Sequence, residues 1–198
     1  MTIFDVENIY DRFGAVHNCI FSNFKQCSID TNQTPNYYLV DNLTRCFDFD
    51  LVKDNIAKKF DFSVDSLFVS IKMDTVFFVE FKNSYFNGSY HKVTRKAFHS
   101  IRIHDVMCGF SDYSFCKNVL CFVISISKEN IFLARKGGLT AAMLRVAHYT
   151  IYDSYKKDLN KRFTEHIISK SSSSLPFLYD ECKVVFDDDF DDFVSMIV

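Results

Sequence analysis

Val64-Asp-Ser-Leu-Phe-Val-Ser-Ile-Lys-Met-Asp-Thr-Val-Phe-Phe-Val-Glu-Phe-Lys82 decides how this chain is read. Two runs of Phe, Val, Ile and Leu flank a short polar break, the pattern of two buried strands joined by a tight turn. Three ionisable side chains interrupt that pattern at one end: Asp65 opens the first strand, and Glu80 and Lys82 close the second. Alternate residues of a strand share a face, so Glu80 and Lys82 point the same way. The turn decides where Asp65 points. A turn of two residues (Met73-Asp74) or four (Lys72–Thr75) puts Asp65 opposite Lys82 and on the Glu80 face. A three-residue turn sends it to the other face, because a one-residue slip flips every side chain.

Working outward, a polar turn after Lys82 leads into a helix over about Tyr90 to Met107. Val93, Ala97 and Ile101 are its predicted buried stripe, and Lys92, Arg95, Lys96, His99 and Arg102 its basic face. Val119 to Ile126 reads as a buried strand. Ile131 to Ala134 reads as another, broken by Gly137-Gly138. Leu139 to about Lys170 reads as one long helix or two joined ones. Ser171–Ser174 and Pro176 make a loop, Val184–Phe186 a short strand, and the Phe186, Phe190, Phe193, Ile197 spacing a final amphipathic helix behind a run of aspartates. Upstream, Val6, Ile9, Phe13, Val16, Ile20 and Phe24 have helical spacing. Residues 28–36 read as a loop, Tyr37–Val40 as a short strand, and Leu51 to Phe60 as a short helix with Asp50 as its cap. The order predicts an α/β protein, a mixed central sheet flanked by helices.

The bulk properties set limits. At 198 residues the chain fits one domain over 1–198, and a net charge of −2 leaves any nucleic-acid contact to local clustering. Seven cysteines at irregular spacing, none in a C-x-x-C, predict reduced thiols and an intracellular, reducing compartment such as cytoplasm or nucleus. Met1–Tyr10 has no signal-peptide pattern, and no apolar run is long enough to span a bilayer.

Two carboxylates and a lysine on an apolar sheet face are costly without partners. A divalent cation resolves the cost, since Mg²⁺ takes oxygen ligands and is held by one or two carboxylates plus substrate phosphate. Lys82 beside it would orient a water or stabilise developing negative charge. The Phe81 carbonyl, between the two side chains in sequence, is a further candidate ligand.

Asp65, fourteen intervening residues, then Glu80-Phe81-Lys82 on the next strand resembles the PD-(D/E)xK nuclease superfamily, with Val64 in place of the motif's proline. The resemblance covers about residues 56–126, the αβββαβ restriction-endonuclease-like core, with a helical C-terminal extension over about 139–198. It implies a Mg²⁺- or Mn²⁺-dependent nuclease acting on DNA or RNA. Asp65 and Glu80 would bind metal and Lys82 would serve the water. Lys92, Arg95, Lys96 and, more weakly, Arg102 would contact nucleic acid. Glu7 matches the extra carboxylate that many members supply from their first helix. By analogy a homodimer is expected.

Taken singly, each charge has a plainer explanation: a solvated strand start, an i,i+2 pair on a wet edge, a solvated helix face. Their coincidence at one end of both strands is what the plain readings must explain. The alternatives are an inactive nuclease-like fold that binds nucleic acid or protein, an unrelated α/β interaction protein, and a viral cap-snatching-type endonuclease. The last resembles this layout if His17 joins with Asp41 or Asp48.

Overall fold

The computed structural model describes residues 8, 11, 21–32, 35–56, 58–83, 90–108, 119–127, 141–167 and 179–198. Its centre is the predicted hairpin, now strands β5 (Ser66–Ser70) and β6 (Thr75–Lys82). Other elements number in chain order: β1 (Phe21–Asn23), α1 (Phe24–Cys27), β2 (Ile29–Asp30), β3 (Tyr37–Tyr38), β4 (Arg45–Asp48), α2 (Phe49–Ile56), α3 (Tyr90–Cys108), β7 (Val119–Ile126), α4 (Ala141–Ile167), β8 (Glu181–Phe186) and α5 (Phe190–Ile197). Six strands form one sheet in the order β1-β4-β5-β6-β7-β8. Pairing is antiparallel from β1 to β6 and parallel from β6 through β7 to β8. The protein is thus α/β with a mixed central sheet.

Both faces of the sheet are covered, which is why β6 and β7 are apolar along nearly their whole length. Val76 and Phe78 of β6 pack with Val93, Ala97 and Ile101 of α3 and with Leu159 and Phe163 of α4. Phe77, Val79 and Phe81 pack the opposite way, onto Phe24 of α1 and Phe190, Phe193 and Ile197 of α5. The Val93, Ala97, Ile101 stripe and the Phe190, Phe193, Ile197 spacing do what their periods predict, whereas Phe186, drawn into the same helical spacing, ends β8 and packs on the opposite face of the sheet.

Several expectations are corrected. Arg45–Asp48 is a strand that the sequence reading lacks; β4 supplies the outer strand of the β4-β5-β6 meander, and it lies upstream of residue 56. The 28–36 loop contains β2, which pairs with β3 in a separate two-stranded sheet. The helical stripe drawn to Phe24 fails at Phe21–Asn23, which pair with β4. The short helix runs Phe49–Ile56 and not Leu51 to Phe60. Its cap is Asp48, whose Oδ1 accepts from Leu51 N at 3.1 Å, and not Asp50. Asp48→Ala is expected to lower stability by about 1 kcal/mol, measured as a lower urea midpoint at unchanged slope. The predicted Val184–Phe186 strand is present as the end of β8, which begins earlier, at Glu181, and is the sixth strand of the sheet. The Ile131–Ala134 strand lies outside the described residues.

Five described cysteines, Cys27, Cys46, Cys108, Cys121 and Cys182, are free thiols. No helix among the described residues is long and apolar enough to cross a membrane.

Candidate functional site: a buried carboxylate pair

The hairpin turn is Ile71–Asp74, between paired Ser70 and Thr75. Asp74 takes the left-handed region (φ 51°), which aspartate tolerates in turns. The turn is even in length, as the shared face requires. It starts one residue earlier than Lys72–Thr75, so the register moves by two and the facing is preserved. Ser66 pairs with Val79, and Asp65 N donates to Val79 O at 3.1 Å. Asp65 therefore stands across from Glu80 and not from Lys82. All three remain on the α3 face.

Each side chain has a structural reason for its place. β5 starts at Ser66, so the ladder runs out of acceptors there; Asp65 Oδ2 takes the Phe81 amide at 2.5 Å instead. That leaves Asp65 Oδ1 to face the helix. On α3, Ser100 Oγ accepts from Val64 N at 2.8 Å, which ties the residue before Asp65 to the helix. Lys96, one turn before Ser100, is thereby aimed at the carboxylates. Its Nζ lies 2.8 Å from Glu80 Oε2 and 3.3 Å from Asp65 Oδ1. Lys82 Nζ makes an ion pair with the other oxygen, Glu80 Oε1.

Glu80 is fully buried, whereas the Asp65, Lys96 and Lys82 side chains keep 19%, 22% and 28% exposure. The quartet opens to solvent on the Asp65 and lysine side. Burial and the neighbouring Glu80 charge push the Asp65 carboxyl up to about 7, against Lys96, Lys82 and the Phe81 amide. Burial works against the Lys96 ammonium, but Asp65 and Glu80 outweigh it and raise its pKa.

These residues fit a divalent cation on one count and fall short on another. Two carboxylates converge on a point where positive charge already sits. Yet no group of three or more His, Cys, Asp or Glu side chains placed to hold a metal occurs among the described residues. Asp65 and Glu80 would hold an ion together with main-chain or water oxygens, the manner of Mg²⁺.

The predicted basic face of α3 divides. Lys96 turns inward, Lys92 is exposed, Arg95 stacks over Phe62 at 4.6 Å, and Arg102 pairs with Asp105 at 3.4 Å. Glu7 and His17 lie outside the described residues. Asp41 pairs with Lys25 at 2.6 Å and Asp48 caps α2, so neither joins Asp65 and Glu80.

A cavity of about 260 Å³ adjoins the quartet, lined by Asp65, Phe81, Lys82, Asn83, Asp30 and Asn32 among others. Asn83 Nδ2 donates to Asp30 Oδ2 at 3.0 Å, tying the end of β6 to β2. Asp30 and the inward role of Lys96 are what the sequence reading missed. Asp30 sits in a polar segment with no periodicity to mark it. Lys96 carried a signal, since it lies between the buried positions Val93, Ala97 and Ser100 on the helix.

Comparison with protein-family models, with curated proteins and with solved structures found no match.

Proposed function

We propose that this protein is a Mg²⁺- or Mn²⁺-dependent nuclease that hydrolyses phosphodiester bonds of DNA or RNA, with a PD-(D/E)xK-type site. The observation that carries the reading is the register: Asp65 stands across from Glu80, with Lys82 two residues on, at the open end of an antiparallel hairpin whose second strand continues through α3 into parallel β7. Asp65 Oδ1 and Glu80 would hold the ion, with the Phe81 carbonyl as the further ligand. A bound divalent ion lowers the pKa of a coordinated water and neutralises charge on the phosphate oxygens. Lys82 holds an ammonium beside Glu80, where it orients the attacking water and stabilises charge that develops on phosphorus oxygens. Asp65 is held by the Phe81 amide, so its orientation is fixed before substrate arrives. The adjoining cavity offers space for the nucleotide beside the scissile phosphate, and exposed Lys92 and Arg95 supply phosphate contacts along α3.

A second reading has its own support. The two lysines already balance the two carboxylates, as a structural charge cluster would. This favours an inactive nuclease-like fold serving as a binding module. Incubation with single- and double-stranded DNA and RNA, in Mn²⁺ and in EDTA, separates the two. The nuclease reading expects Mn²⁺-dependent cleavage that Glu80→Gln and Lys82→Ala each reduce at least about 10²-fold. Cleavage indifferent to EDTA and to both changes, or none on any substrate, sinks it.

A further inference from the structure

We infer that the Lys96 ammonium occupies the seat of the divalent ion and must leave the carboxylate pair for the ion to bind, so that Lys96 sets the metal affinity of the site. The inference rests on the metal-dependent reading above and adds how the site is loaded.

Among the described residues, Lys96 touches both carboxylates: Nζ is 2.8 Å from Glu80 Oε2 and 3.3 Å from Asp65 Oδ1. These are the oxygens that face each other across the strands, since Asp65 Oδ2 is engaged by the Phe81 amide and Glu80 Oε1 by Lys82. An ion bridging Asp65 and Glu80 needs these same oxygens at about 2.1 Å. An ammonium and a metal ion cannot both sit there.

Charge leads to the same conclusion. With both carboxylates ionised, the quartet Asp65, Glu80, Lys82 and Lys96 sums to zero. A divalent ion added to it leaves two uncompensated positive charges around the fully buried Glu80. Low local dielectric makes that arrangement unfavourable. Departure of Lys96 removes one charge, and the single negative charge of a phosphodiester removes the other. The metal-free and the substrate-loaded site are then both neutral, while the metal-loaded site without substrate is not.

The side chain can leave. Lys96 turns inward but keeps 22% of its side chain exposed, and the long lysine stem lets the ammonium reach water without moving α3. Lys82 differs, since it shares a strand with Glu80 and stays beside it in either state.

The test measures Mn²⁺ binding by electron paramagnetic resonance and calorimetry on wild type, Lys96→Met and Lys96→Arg. Lys96→Met is expected to bind Mn²⁺ at least about tenfold tighter than wild type and to melt lower without metal, because it loses the internal cation. Lys96→Arg, which keeps the charge, is expected to bind no tighter than wild type. Lysine acetylation followed by mass spectrometry makes the same test on the unaltered protein, should Lys96→Met not fold. Lys96 labelling is expected to rise several-fold when Mn²⁺ is added, with Lys92 unchanged as the control. If wild type binds Mn²⁺ but Lys96→Met binds no tighter, or Lys96 labelling does not rise, the inference is overturned and the nuclease reading stands. If neither protein binds Mn²⁺, both fall.

Discussion

Glu80→Ala lowers the stability of the metal-free protein by about 3–5 kcal/mol, the range for removing one member of a buried, paired set of charges. The reason is local. Glu80 is fully buried and each of its oxygens is met by an ammonium, Oε1 by Lys82 and Oε2 by Lys96. Without it, two lysines face one carboxylate, Asp65, beside the apolar contacts of Phe78 and Val93. An exposed Glu-Lys pair contributes only about 0–1 kcal/mol, so the size of the loss separates a buried cluster from a wet strand edge. Urea unfolding of Glu80→Ala measures it, with Lys92→Ala on the exposed side of α3 as a control expected near zero. A loss under about 1 kcal/mol would mean that the carboxylate is solvated and that the quartet is not the structural unit described. Glu80→Gln keeps the volume and a hydrogen-bond acceptor while removing the charge. It should lose less stability than Glu80→Ala and still bind Mn²⁺ at least about 10²-fold more weakly.

The second large effect is in pH. The Asp65 carboxyl is raised from 3.8 to about 7, first by burial and then by the Glu80 charge. Between about pH 4 and pH 7 the folded protein therefore holds a proton that the unfolded chain has released. Protons bound in the folded state exceed those bound in the unfolded state across that window, so this group's stabilisation declines as pH rises through it and is gone above about 7. Compared with Asp65→Asn, which does not titrate, metal-free wild type should lose on the order of a few kcal/mol from pH 4 to pH 8. Metal binding has the opposite slope. A ligand carboxylate must be deprotonated, so Mn²⁺ affinity should fall about tenfold per pH unit below about 7. At a Mn²⁺ concentration of 100 times the dissociation constant, the ion adds about 2.7 kcal/mol at pH 8. Melting curves of both proteins with and without Mn²⁺, at pH 5.5 and pH 8, check this directly. The Mn²⁺-induced rise should be present in wild type at pH 8, small at pH 5.5, and absent in Asp65→Asn at both. A rise of equal size at both pH values would place the ion elsewhere.

The elements most legible in the sequence are those whose own side chains carry a period. β5, β6 and β7 are short apolar runs between turn residues, and a strand buried on both faces must look so. α3 shows its stripe because Val93, Ala97 and Ile101 have one side to bury. β4 was not legible because Arg45-Cys-Phe-Asp48 is short and exposes Arg45, so its status as a strand depends on pairing with β5. Asp48 and Asp50 are equally good caps of α2 in isolation, and the start of the helix at Phe49 chooses Asp48.

What the sequence by itself determined is that a carboxylate and a Glu-x-Lys close an apolar hairpin, and that an even turn puts all three on one face. That follows from the twofold period of a strand, which needs no knowledge of neighbours. Tertiary structure alone decided that Asp65 faces Glu80, that the Asp65 side chain ends the ladder on the Phe81 amide, and that Lys96 comes in from α3 to seat its ammonium between the carboxylates. A two-residue shift of register leaves every side chain on its face, so a pattern cannot detect it. The direction of a lysine on a helix depends on what the helix rests against, and here that is fixed by Ser100 holding Val64, thirty-six residues away in the chain.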